Sequence, residues 1–243
     1  MDRKSYEKEV YSKYWITARE KIYGFSDYEK ALCGYMLNVI SGINLLEVAI
    51  GTGYPFADFF QKKGYMVHGI DISPDLIEKC KKTNSKIAAE VGDAENLDFP
   101  DNSFDCVYCF NATWHFPDLP KAISEMVRVT APGGSIFFDI QNRNNPEINE
   151  CYQKQLSHYK SPFWRGICYA KNIVKIVLQR GTPDWHFVIY EVPTYPESVY
   201  EQLKNLQLSN FYIIVKENNG SIQKRDGLVA YEDYPRLVFC IRK

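Results

Sequence analysis

The feature that most restricts what this chain can fold into is a repeated alternation of two textures. Short apolar runs of strand length lie at 45–50, 65–70, 87–91, 104–110 and 135–140. Between them stand PFADFFQKKG, SPDLIEKCKKTN and LPKAISEMVRVTAPGG, whose apolar residues recur three and four apart, as on one face of a helix. A parallel strand pair needs a crossover, and the helix between strands supplies it. The near-continuous apolar runs call for burial on both sides of the sheet. The expectation is an α/β fold with a mostly parallel sheet and helices on both faces.

Punctuation supports this reading. Ser73-Pro74 offers an N-cap followed by an N1 proline, and Asp118 stands where it can cap the next helix. Gly133-Gly134 reads as the stop of that helix before the strand SIFFDI. The first forty residues read as helix, in YEKEVYSKYWITAREKIYG and DYEKALCGYMLNVI. From 141 to 185 the alternation degrades into an insertion with two helices. A strand at 185–190, a helix at 196–206 and strands at 211–215 and 237–241 follow, the last two joined by the polar stretch NNGSIQKRDG. Four segments are expected: a helical cap over 1–40, a core over 41–140, an insertion over 141–200, and strands over 201–243 that complete the core sheet.

Charge and cysteine usage exclude several classes. Lys and Arg number 29 against 30 Asp and Glu, so the balanced chain lacks the basic excess of a bulk nucleic-acid binder. No run approaches the roughly 18 apolar residues of a membrane span, and the opening MDRKSYEKEV has no signal-peptide apolar core. A cytoplasmic location is expected. The seven cysteines are scattered without a framework. Cys106 and Cys109 form a CxxC inside the apolar run FDCVYCF, without a second pair or nearby His, so they read as core and no metal is expected.

The chemistry is concentrated in LLEVAIGTGYP, where a strand runs into a glycine turn that opens a helix. In an open α/β sheet, nucleotides bind at that place. Gly51 and Gly53 let a ligand approach backbone that a Cβ would block. Asp71 ends the second strand twenty residues after Gly51, where a carboxylate can accept hydrogen bonds from ribose hydroxyls. Asp93 follows the third strand, placed for an adenine amino group. Glu47 puts a charge inside a strand, an odd place unless a cation or amine meets it.

At these residues the chain resembles the class I S-adenosylmethionine (SAM)-dependent methyltransferases, in their small-molecule branch. LLEVAIGTG is similar to that family's first motif, GIDIS to the second, and GDAENLDFPDNSFDCV to the third and the start of the fourth. NATWHFPDLPKAISEMVRVTAPGG resembles the stretch that follows, and the resemblance covers about 40–140. It implies a Rossmann-like, seven-stranded, mostly parallel sheet, SAM as cofactor and S-adenosylhomocysteine as product. It further implies that Glu47 serves the methionine amino end, that Gly51, Thr52 and Gly53 cradle the cofactor, and that Asp71 holds the ribose. Ile72 then packs on adenine, Asp93 and Ala94 reach its edge, and Asn111 lies at the cofactor floor. Ala49 departs from the family, which usually has glycine there.

Methyl transfer asks little covalent help from a protein, because positioning the nucleophile supplies most of the acceleration. His115, after the fourth strand, is the candidate general base. His68 reads as a core or helix-facing residue. Tyr11, Tyr14 and Trp15 stand at helical spacing to close over the cofactor, and equally to form a packing stripe. The insertion's aromatics, Phe163 and Trp164 among them, are expected to line a pocket for an apolar or aromatic small molecule methylated on oxygen or nitrogen. Their other reading is a small core or a homodimer surface. No Asn/Asp-Pro-Pro-Tyr follows the fourth strand and no Pro-Cys occurs, which disfavours nucleic-acid acceptors. Two rival functions are a non-catalytic SAM-binding regulator and a dinucleotide-dependent oxidoreductase. For the oxidoreductase, Phe56 occupies the third glycine position of GxGxxG.

Overall fold

The computed structural model describes residues 3–6, 8, 24–178, 192–217, 220–227 and 231–243. Among the described residues eight strands form one sheet: β1 Asn44–Val48, β2 Met66–Asp71, β3 Ala88–Val91, β4 Phe104–Cys109, β5 Thr130–Gln141, β6 Phe211–Lys216, β7 Ile222–Arg225 and β8 Arg236–Arg242. Their order is β3-β2-β1-β4-β5-β8-β6-β7. The β1/β2, β1/β4, β2/β3 and β4/β5 pairs are parallel, whereas β8 runs antiparallel to both β5 and β6. The order reverses at β1, so the loops after β1 and β4 diverge and leave a crevice at the carboxyl edge.

The seven-strand expectation is corrected here. β7, with sequence IQKR, lies inside the stretch read as a polar loop and pairs antiparallel with β6. An edge strand that buries neither face carries no alternating apolar signal, and β7 is mostly exposed. The expected strand at 185–190 lies outside the described residues.

The longer helices among the described residues are α1 Asp27–Val39, α2 Phe56–Lys62, α3 Pro74–Thr83, α4 Leu119–Val129, α5 Pro146–Lys160, α6 Pro162–Val177 and α7 Pro196–Asn205. The expected caps are in place. Ser73 Oγ accepts from Leu76 N at 3.3 Å, and Asp118 accepts from Lys121 N at 3.0 Å. Ser26 and Glu29 form a reciprocal capping box on α1. Arg3–Tyr6 is a helical turn, and most of the first expected helix lies outside the described residues.

Two apolar layers sandwich the sheet. On one face α4 sets Leu119, Ala122, Ile123 and Met126 against Leu46, Val107, Ile136 and Phe138. On the other, Leu32 and Met36 of α1 and Phe60 of α2 join Leu45, Cys106 and Phe137. His68 packs edge-on to Phe104, a core residue of β4. Gly133-Gly134 does not stop α4. The helix ends at Val129, β5 starts at Thr130, and the glycines sit in a register shift of the β4/β5 ladder. A Cβ on Gly134 would meet Asp105 O at 2.9 Å, so close backbone approach explains the glycine.

Candidate active site

The turn after β1 is a run of unusual backbone. Ala49, Gly51 and Gly53 have φ of 60°, 58° and 80°, which turns the chain sharply from strand to α2. Glycine takes this conformation freely and alanine at some cost. Ile50 N donates to Ile70 O at 2.8 Å, which ties the turn to β2. Asp71, buried at the end of β2, completes the tie: Gly51 N donates to Oδ2 and Ser73 N donates to Oδ1, both at 2.9 Å. One carboxylate thus holds the glycine turn and the start of α3 in register.

The result is a cavity of about 1010 Å³, measured out to its open mouth, at the carboxyl edge of β1, β2 and β4. Its β1 wall is Glu47, Gly51 and Thr52, and its β2 wall is Asp71 and Ile72. Asp93 and Ala94 close it after β3, and Asn111 and His115 after β4. Glu47 is buried and accepts from Tyr108 Oη at 3.1 Å; the two are register partners across β1/β4. Burial, with Glu47 beside it, pushes the Tyr108 hydroxyl well above its ordinary value, so Tyr108 stays a donor. Thr52 Oγ1 is buried with no hydrogen-bond partner among the described residues, although its residue lines the cavity. A buried hydroxyl of this kind is able to bond a polar atom of a ligand.

Apart from Tyr11 and Tyr14, which lie outside the described residues, nearly all the residues singled out from sequence meet at this cavity. Gly53 does not. It faces away, where a Cβ would meet Cys80 Sγ at 2.8 Å, so its glycine serves turn geometry and packing against α3. Phe163, Trp164 and Tyr169 are also absent from the wall and stand exposed.

The sequence reading missed several residues here. Lys4 reaches the cavity and pairs with Asp93 at 2.7 Å and Glu95 at 2.6 Å. Burial works to raise the Asp93 carboxyl, but the hydrogen bond and charge of Lys4 outweigh it and hold the group below its ordinary value. Phe56 and Phe110 form a tilted aromatic pair on the wall, with centroids 4.8 Å apart. Behind the cavity lies a polar chain. Asn111 donates from Nδ2 to Glu29 Oε1 at 3.3 Å and accepts from Arg236 Nη1 at 2.6 Å, while Arg236 pairs with buried Asp139 at 3.5 Å. Asp139 also accepts from Asn111 N at 2.9 Å. Asn111 itself sits at φ 60°.

Residues 46–138 match the family model described as "Methyltransferase domain". Among curated proteins, the chain is 30% identical over 131 residues to the sterol 24-C-methyltransferase of Yarrowia lipolytica, covering 49% of this chain and 34% of that protein. It is also 30% identical over 169 residues to the 2-methyl-6-phytyl-1,4-hydroquinone methyltransferase of Synechocystis, covering 64% of this chain and 52% of that protein. The chain thus spans about a third to a half of the length of these curated relatives. Among solved structures, a SAM-dependent methyltransferase from Thermotoga maritima superposes with a TM-score of 0.62 at 16% identity, covering 99% of this chain and 97% of that one. That likeness establishes the shared fold. The matched residues run from within β1 to within β5, and so span both sides of the crevice.

Proposed function

We propose that the protein is a SAM-dependent methyltransferase that transfers a methyl group to an oxygen or nitrogen of a small, largely apolar or aromatic molecule. The observation that carries this reading is the set of carboxylates on one cavity: Glu47 in β1, Asp71 at the end of β2 and Asp93 after β3, on successive neighbouring strands beside a left-handed glycine turn. That spacing suits a ligand with an ammonium at one end, a ribose in the middle and an adenine at the other. The orphaned Thr52 hydroxyl and Gly51 on the cavity wall fit the same ligand. When bound, SAM supplies an electrophilic methyl group on a sulfonium.

In this reading Glu47, oriented by Tyr108, receives the ammonium, and Asp71 adds ribose hydroxyls to the backbone N–H groups it already accepts. Ile72 and Ala94 sandwich the adenine edge with Asp93. Lys4 lies against Asp93, which places the turn Arg3–Tyr6 at that end. Asn111, held by Glu29 and Arg236, forms a rigid floor. His115 is on the wall after β4 and is the base candidate for an acceptor that must lose a proton. The curated relatives, whose names include a sterol and a hydroquinone acceptor, support a small-molecule class.

Calorimetry with SAM, S-adenosylhomocysteine and NAD tests this. Micromolar or tighter binding of the first two is expected, near -8 kcal/mol, with NAD far weaker. Equal binding of NAD would overturn the reading. Labelled methyl from SAM appearing in a metabolite panel separates the enzyme from a regulator that only binds SAM.

A further inference from the structure

We infer that α5 and α6 form a docking surface for an anionic lipid bilayer. α6 is turned inside out. Its polar Asn172 is buried, whereas Phe163, Ile173, Val174, Val177 and the following Leu178 are each more than half exposed. Phe163, Ile167, Ala170, Val174 and Val177 are spaced four, three, four and three apart, so they share one helical face. Elsewhere among the described residues, the exposed large apolar side chains are Ile43, Met66, Val91 and Tyr195, widely separated in sequence. The apolar patch belongs to this helix. A patch of this kind marks an interaction surface.

Charge decides what covers it. From 151 to 178 the sequence holds Lys154, Lys160, Arg165, Lys171 and Lys175 and no Asp or Glu, in a chain whose net charge is -1. Lys154, Lys160 and Lys171 are exposed. A second copy docked here about a two-fold axis would set these cations against their own equivalents. An anionic bilayer meets both requirements at once: headgroups for the cations, and an acyl boundary for the row from Phe163 to Leu178. A basic, amphipathic helix with exposed aromatic and aliphatic side chains is suited to lie in that interface. No helix among the described residues is long and apolar enough to cross a membrane, so the contact is peripheral.

The test is sedimentation of the full chain with vesicles of phosphatidylcholine, with and without about 30% phosphatidylglycerol. It needs no methyl transfer, so its failure is separate from failure of the proposed function. Binding is expected to the anionic vesicles, at least tenfold weaker to phosphatidylcholine alone or in high salt. V174E with V177E should weaken it at least tenfold while circular dichroism and thermal unfolding stay unchanged, since both side chains already face solvent. K171Q should weaken it about fivefold, the worth of one cation near an anionic surface. No binding to the anionic vesicles overturns the inference. So does binding indifferent to lipid charge, or a dimer in solution that V174E dissociates.

Discussion

Two buried carboxylates show how single residues set this site. Asp71 receives two backbone N–H groups, from Gly51 and Ser73, and both bonds are charge-assisted. Asp71→Ala removes both and leaves two buried donors unsatisfied. A loss of about 2–3 kcal/mol in urea unfolding is expected, together with an affinity for S-adenosylhomocysteine lower by at least tenfold by calorimetry. If stability falls and affinity does not, Asp71 braces the turn and touches no ligand. Asp139 is the second case. Burial pushes its carboxyl above the ordinary 3.8, and Arg236 opposes that rise. An acid whose folded value is raised binds its proton more tightly in the folded state. Its contribution to stability therefore declines as pH rises from the unfolded value to the folded one, and is flat beyond. Arg236→Ala should raise the folded value further and widen that window upward. We expect a loss of roughly 2–4 kcal/mol at pH 8, where a proton less readily neutralises the unpaired carboxyl, and a smaller loss at pH 5. Denaturant titrations of both proteins at the two pH values give the comparison, and equal losses would mean that the ion pair contributes nothing.

At the scale of elements, helix starts hold the crevice open in one geometry. α4 begins beside the cavity with Asp118 as its cap, and Asp118 N donates to Glu95 Oε1 at 2.9 Å, which links the cap to the loop after β3. Asp118→Ala should cost about 1 kcal/mol, seen as a Tm lower by about 2–4 °C for a chain of this size. A Tm unchanged within error would show that solvent replaces the cap. α2 starts differently. Its cap position is Pro55, which makes no side-chain cap bond, and the turn bonds of Ile50, Gly51 and Gly53 carry that entry instead.

Across the whole molecule, the sheet is protected unequally. β1, β4 and β5 lie between two helical layers and are almost wholly buried, whereas β3 and β7 lie at the two edges with exposed side chains. Amide exchange should follow: Leu46, Val107 and Phe137 slowest, near the global unfolding limit, and Ala88–Val91 and Ile222–Arg225 by local opening. β7 amides as slow as Val107 would show the extra strand to be integral to the core.

Much of this was legible in the residues themselves. The three-and-four spacing of Leu119, Ala122, Ile123 and Met126 announced α4, and the glycine turn after Glu47 announced the crevice, because such signals act over a few residues. What the sequence could not settle involves partners far apart along the chain. Glu47 meets Tyr108 only because β1 and β4 are adjacent, and Asn111 meets Glu29 and Arg236 only because α1 and β8 converge on the same sheet edge. Gly51 and Gly53 are alike in sequence, yet one borders the cavity and the other makes room for Cys80. The amphipathic period of α6 was likewise readable, but a period says that a helix has an apolar face and not which way that face is turned. Strand order and helix packing, which come from burying the core as a whole, decided that the apolar row from Phe163 to Val177 faces outward.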